Sequence, residues 1–197
     1  MIIFLTAVFF LLITPGPGVL STAGVGAAYG RAAGHRYVIG LLIGTNLVAL
    51  AVVTGLAAVM LAQPVLRGLL LFASVAYLAW MAFRIAFAGS EIAFIRRDSA
   101  PGLFDGLTLQ AINPKAYVVN TTLFTGFAFE GMTLGVETLW KFVLINAIWI
   151  PIHLLWLSAG IALERLSLSP RRQRMVNIAM ALSLLAVVAL ALFAGSR

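Results

Sequence analysis

The chain has 197 residues, of which 62% are apolar and 10% charged, and its mean hydropathy is +1.08. Soluble domains carry about 45–50% apolar and about 25% charged residues, so an ordinary soluble domain, a disordered chain and a nucleic-acid binder are excluded. The net charge of +7 fits a membrane protein whose cytoplasmic loops hold the basic excess, and the lack of cysteine excludes disulfides, thiolate metal sites and thiol redox chemistry.

A membrane-spanning helix needs about 20 mostly apolar residues. Residues 2–28 supply the first, interrupted near its middle by Thr14-Pro15-Gly16-Pro17-Gly18. Met1-Ile2-Ile3-Phe4 lacks the basic start of a secretory leader, so this stretch reads as a retained span. A basic loop over 29–37 leads to an uncharged span at 38–61. A third, at 65–88, has Arg67 and Arg84 near its ends, where long side chains reach the interface. The fourth, 107–129, is interrupted by Asn113-Pro114-Lys115. Spans at 139–163 and 175–194 complete the set, the last nearly featureless apart from Asn177 and Ser183. The expected fold is all-α: a polytopic membrane protein of six transmembrane segments forming one domain over 1–197.

Most of the 13 basic residues fall in alternate loops: Arg31 and Arg36, then Arg84, Arg96 and Arg97, then Arg165, Arg171, Arg172 and Arg174. The opposite ends hold Arg67, Lys141 and Arg197, with Glu130 and Glu137 between 130 and 138. By the positive-inside rule the three basic loops face the cytoplasm and both termini the other side.

The two interruptions are alike. Thr14-Pro15 and Asn113-Pro114 each set an N-cap residue before a proline, the order that opens a helix, while proline inside a helix removes a hydrogen bond and clashes with the preceding turn. Each span therefore reads as a half-helix, a break and a second helix starting near mid-membrane. A kinked helix is the plainer reading of either break alone. The pair stands about half the chain apart, and each member opens a group of three spans. Three is odd, so the groups run in opposite senses, giving two inverted repeats, about 1–90 and 103–197, joined by a cytoplasmic loop. Breaks at matching places in two such halves are the pattern that marks a transporter's binding site.

Thr14-Pro15-Gly16-Pro17, Gly30-Arg31-x-x-Gly34, Ala76-Tyr77-Leu78 and Asn113-Pro114-Lys115 resemble the LysE/RhtB family of amino-acid exporters over essentially the whole chain. The resemblance implies a secondary exporter of an amino acid or derivative in the cytoplasmic (inner) membrane of a bacterium. Its partners would be a small-molecule substrate and the lipid bilayer, with no cofactor and no nucleic acid, and a homodimer is open to so small a chain. One position departs: the family usually has Asn, sometimes Asp, after the second proline, and here it is Gly18.

An amino-acid zwitterion needs donors for its carboxylate and acceptors for its ammonium. Helix N-termini after Thr14 and Asn113 offer unpaired N–H groups and positive partial charge, and carbonyls freed around Gly16–Gly18 and before Pro114 offer acceptors. The expected substrate-binding residues are Thr14, Pro15, Gly16, Pro17, Gly18, Asn46, Asn113, Pro114, Lys115 and Asn146. Gly18 enlarges the site. Lys115, a cation inside a span, is costly there by at least about 2.5 kcal/mol on insertion scales. It is expected to meet a substrate carboxylate or carry a proton, unless it snorkels or pairs with Asp105. His153 and Asp105 are further proton-coupling candidates, His153 being in the plainer reading a hydrogen-bonded packing residue. Asn120, Thr45, Thr54, Thr121 and Thr122 read mainly as interhelical bonding groups, and the glycine series at 26, 30 and 34 and at 40 and 44 as close-packing positions. Trp140, next to Lys141, reads as an interface anchor.

An intramembrane enzyme is disfavoured. His35 and His153 lack a neighbouring carboxylate, and Ser158 lies off the same-face spacing from His153. No metal site is expected. An exporter of a metal or inorganic ion with the same architecture, or a non-transport membrane subunit, are the alternatives.

Overall fold

The computed structural model describes residues 1–14, 16–55 and 100–165, with scattered residues in the intervals 62–83 and 169–186. Pro15, Arg67, Tyr77, Leu78, Arg84, Arg96, Arg97, Asn177 and Ser183 lie outside the described residues, as do most of the expected third and sixth spans.

The extended elements within the described residues are α-helices: α1 (Ile2–Ile13), α2 (Pro17–Val53), α3 (Leu103–Ile112), α4 (Pro114–Thr125) and α5 (Leu134–Arg165). α2 and the Leu134–Leu163 part of α5 are long and apolar enough to cross a membrane. Both interruptions read from the sequence appear as helix breaks, one between α1 and α2 and one between α3 and α4.

The first break differs in register from the sequence expectation. Thr14 does not open the following helix; it closes α1, its hydroxyl donating to the Phe10 carbonyl at 2.6 Å. α2 starts two residues later, with Gly16 extended at the N-cap and Pro17 in the first turn. Both Pro15 and Pro17 satisfy the rule that proline favours the first helical position, so sequence alone does not choose between them. The second break follows expectation: the Asn113 side chain accepts from the Lys115 N–H at 3.1 Å, and Pro114 is the first helical residue.

The expected loop at 29–37 is also absent. α2 runs 37 residues, interrupted only at Gly30 with φ 74° and ψ −169°. At about 1.5 Å per residue an unbroken helix of this length would reach roughly 55 Å, well beyond a hydrocarbon core of about 30 Å. Gly30 divides it into two arms, near the place where the sequence sets the boundary between the first and second expected spans. That backbone conformation is essentially glycine's alone. Arg31, His35 and Arg36 lie exposed just past the break.

α2 packs most extensively against α5 and α3. Small residues permit it. A Cβ at Gly160 would run into the backbone of Ala23, and one at Gly40 into the backbone of Leu103. Gly26 and Gly34 are covered by Leu157, whereas Gly30 meets no described residue and serves the turn instead of the packing. Two apolar clusters result among the described residues. One gathers Tyr37, Leu41, Leu109, Trp149 and Leu157. The other joins Phe4 and Val8 of α1 to Val119, Leu123, Phe129 and Ile145. Large apolar side chains including Ile2, Phe10, Leu47, Leu139 and Leu155 face outward, as lipid contact requires.

Lys141 is 1% exposed and fully partnered. Its ammonium pairs with Glu137 at 2.6 Å and donates to the carbonyls of Phe124, at 2.9 Å, and Phe127. Glu137 in turn accepts from the Phe129 N–H at 3.2 Å. One turn of α5 thereby fastens the segment after α4, whose Phe127 and Phe129 rings meet Phe4 edge-on. Trp140, on the adjoining turn, is exposed.

Candidate functional site

The two breaks meet. The Lys115 ammonium, from the first turn of α4, donates to the main-chain carbonyl of Thr14 at 2.6 Å, across 101 residues of sequence. This resolves the electrostatic conflict expected of a lysine at a helix N-terminus. The cation opposes the dipole of α4, but it caps the C-terminal end of α1, where positive charge is favoured. The expected alternative partner, Asp105, is engaged elsewhere: it accepts from the Gly102 N–H at 2.9 Å at the start of α3.

Next to this bridge lies a cavity of about 50 Å³. A single water needs about 10–15 Å³ on that measure, so there is room for a small cluster of atoms. Gly16, Gly18 and Val19 of the α2 start, Asn113, Lys115, Ala116 and Asn120 of the α4 start, Gln110 of α3, Thr45 of α2 and Trp149 and His153 of α5 line it. It lies where the two apolar clusters adjoin, Trp149 belonging to one and Val119 and Ile145 to the other. The low-dielectric surroundings strengthen any electrostatic contact made inside.

The walls are unequal. At the α4 start, Asn113 spends its side chain on its own neighbourhood, accepting from the Lys115 N–H and donating to the side-chain Oε1 of Gln110 at 2.8 Å, while the Ala116 N–H bonds the Asn113 carbonyl at 3.0 Å. At the α2 start no side chain caps the helix, and the first intrahelical bond runs from Leu20 N–H to Gly16 at 3.0 Å. The N–H groups of Gly18 and Val19 precede that bond and have no intrahelical acceptor. The carbonyls expected to take an ammonium are in use: Gly16 by Leu20, and Gly18 by the hydroxyls of Ser21 and Thr22 at 2.9 and 2.8 Å.

His153 is 3% exposed. Its Nδ1 lies 3.0 Å from the Trp149 carbonyl, and its ring stacks on Trp149 with centroids 3.5 Å apart. Asn120 donates to the Ala116 carbonyl at 2.8 Å, which leaves its own oxygen for the cavity.

A family model, LysE type translocator, matches residues 9–195. The chain belongs to the LysE type translocator family. It is therefore a polytopic membrane transporter of a small-molecule exporter family, not an enzyme. No curated protein and no solved structure matches it.

Of the residues expected to bind substrate in this translocator, the structure brings Gly16, Gly18, Asn113 and Lys115 to the cavity, with Thr14 bonded to Lys115. Pro17 and Pro114 shape the two helix starts. Asn46 and Asn146 stand apart. Each amide donates to the other, at 2.9 and 2.8 Å, and to the carbonyl four residues before it, so they join α2 to α5. Asp105 is not a lining residue. Gln110 and Trp149 were not expected at the site. Gln110 carried one usable signal, an amide one turn before Asn113; Trp149 carried only its spacing of four from His153.

Proposed function

We propose that this translocator exports a small neutral amino acid, or a derivative of one, from the cytoplasm by proton-coupled alternating access. The observation that carries the reading is the Lys115 bridge: an intramembrane ammonium at the junction of two helix breaks, bordering a small polar-lined cavity. The substrate carboxylate takes the Lys115 ammonium together with the N–H groups of Gly18 and Val19, which have no acceptor within α2, the combination that suits an anion at a helix start. Lys115 then leaves the Thr14 carbonyl, so binding loosens the tie between the two breaks. Among the described residues no carboxylate lines the cavity, which favours a neutral over a basic amino acid.

Six spans arranged as two inverted repeats provide the moving parts, the halves rocking about the breaks. The Asn46–Asn146 pair supports this arrangement. Two like residues 100 positions apart exchange identical bonds, as equivalent positions near an internal twofold axis do. The basic corner after Gly30 lies on the cytoplasmic side and both termini on the other. Inside-out vesicles given a proton gradient and a mixed amino-acid panel test the function. Accumulation of one compound, abolished by a protonophore, is expected. Accumulation that ignores the protonophore contradicts proton coupling, and none of any panel member contradicts the substrate class.

A further inference from the structure

The carboxylate cradle described above leaves the substrate's other end to be placed, and the inference here rests on that reading of the site. In an α-amino acid the ammonium nitrogen is one carbon from the carboxylate. Its acceptor must therefore adjoin the N–H groups of Gly18 and Val19. The nearby α2 carbonyls already accept within the helix, that of Gly16 from Leu20 and that of Gly18 from the Ser21 and Thr22 hydroxyls.

His153 meets the requirement. Because Nδ1 is bonded to a carbonyl, which only accepts, the proton sits on Nδ1 and Nε2 presents its lone pair. Nε2 has no hydrogen-bond partner among the described residues, although the side chain is 3% exposed and lines the cavity. The atom is not sealed away, so a group entering the cavity can reach it, and stacking on Trp149 holds the ring in place. Nε2 also faces Gly18: a Cβ built there would lie 3.5 Å from it and within 4 Å of no other described atom. The position would admit a side chain, and any larger than a methyl would cover the lone pair.

We infer that His153 Nε2 accepts a hydrogen bond from the α-ammonium group of the substrate, and that Gly18 is the specificity-determining residue that leaves this acceptor reachable. Gly18 and His153 thus form one subsite for a primary amine next to a carboxylate. The ligand class is an α-amino acid with an unsubstituted ammonium group; the α-keto counterpart has no donor for Nε2.

The test is calorimetric titration of the detergent-solubilised protein with L-alanine and with pyruvate, which share a methyl and a carboxylate and differ at the amine. The intact protein is expected to prefer alanine by about tenfold or more, the scale of one hydrogen bond to a charged group. His153→Phe keeps a ring against Trp149 and should bring the preference towards unity, while His153→Gln restores part of it. Gly18→Val should act like His153→Phe, and the double variant no worse than either single one, since both remove the same contact. Gly18→Ala, whose Cβ fits at ordinary contact, serves if the valine variant does not fold. An alanine preference unchanged in His153→Phe overturns the inference while leaving the carboxylate site standing. Binding of neither probe by the intact protein contradicts the small-amino-acid reading itself.

Discussion

Lys115 shows how far residue-level reasoning reaches. A lysine in an apolar span is costly enough to demand a partner, so its importance was legible in the sequence. The partner was not, because it is the main-chain carbonyl of Thr14, and a backbone acceptor leaves no mark in a side-chain pattern. Gly16 tests the bridge without touching the charge. A Cβ there would lie 2.8 Å from Lys115 Cδ and 3.2 Å from Nζ, so the flexible end of the lysine must move. Gly16→Ala is expected to lower transport at least several-fold while leaving the thermal midpoint in detergent within a few degrees of the parent protein. Unchanged transport would show that the lysine's place next to Gly16 is irrelevant. Asn46 and Asn146 show the converse case. Amides in apolar spans suggested a substrate path, yet each finds its complement in the other.

Among the elements, the breaks were legible and their registers only partly so. Asn113 has a side chain that caps, and it fixed the α4 start; at the first break two prolines competed, and the one after Gly16 prevails. The corner at Gly30 was hidden because a single residue, not a polar loop, makes the turn. Gly30→Ala has open space around it but must hold a conformation costing about 1–3 kcal/mol for a residue with a Cβ. A lower thermal midpoint and reduced membrane yield are expected, and a midpoint equal to that of the parent protein would contradict the assigned turn. Lys141 fastens the segment after α4 through Glu137 and two carbonyls. Lys141→Met keeps the stem's volume and removes the donors. It is expected to increase protease nicking between 126 and 133, and an unchanged cleavage pattern would assign the clasp no holding role.

For the whole molecule, composition alone established the class, and four short motifs pointed to the family that residues 9–195 match. What composition could not supply is which polar groups face one another, since that depends on helix rotation and close approach at positions such as Gly40 and Gly160. The natural lack of cysteine makes sidedness directly testable. Cysteines introduced singly at His35 and at Glu130, both exposed, are expected to react with an impermeant maleimide from opposite sides, Glu130→Cys alone being labelled in intact cells. Labelling of His35→Cys alone would invert the orientation.

The central claim is that the Lys115 ammonium holds the substrate carboxylate at the junction of the two breaks. Its most direct test is the concentration dependence of uptake into inside-out vesicles for the intact protein, Lys115→Arg and Lys115→Ala. A hydrogen bond to a charged group contributes about 1.5–3 kcal/mol, so Lys115→Ala should raise KM roughly 10–100-fold, with a smaller rise for the arginine variant. Saturation of Lys115→Ala at the same concentration and rate as the intact protein would contradict the account.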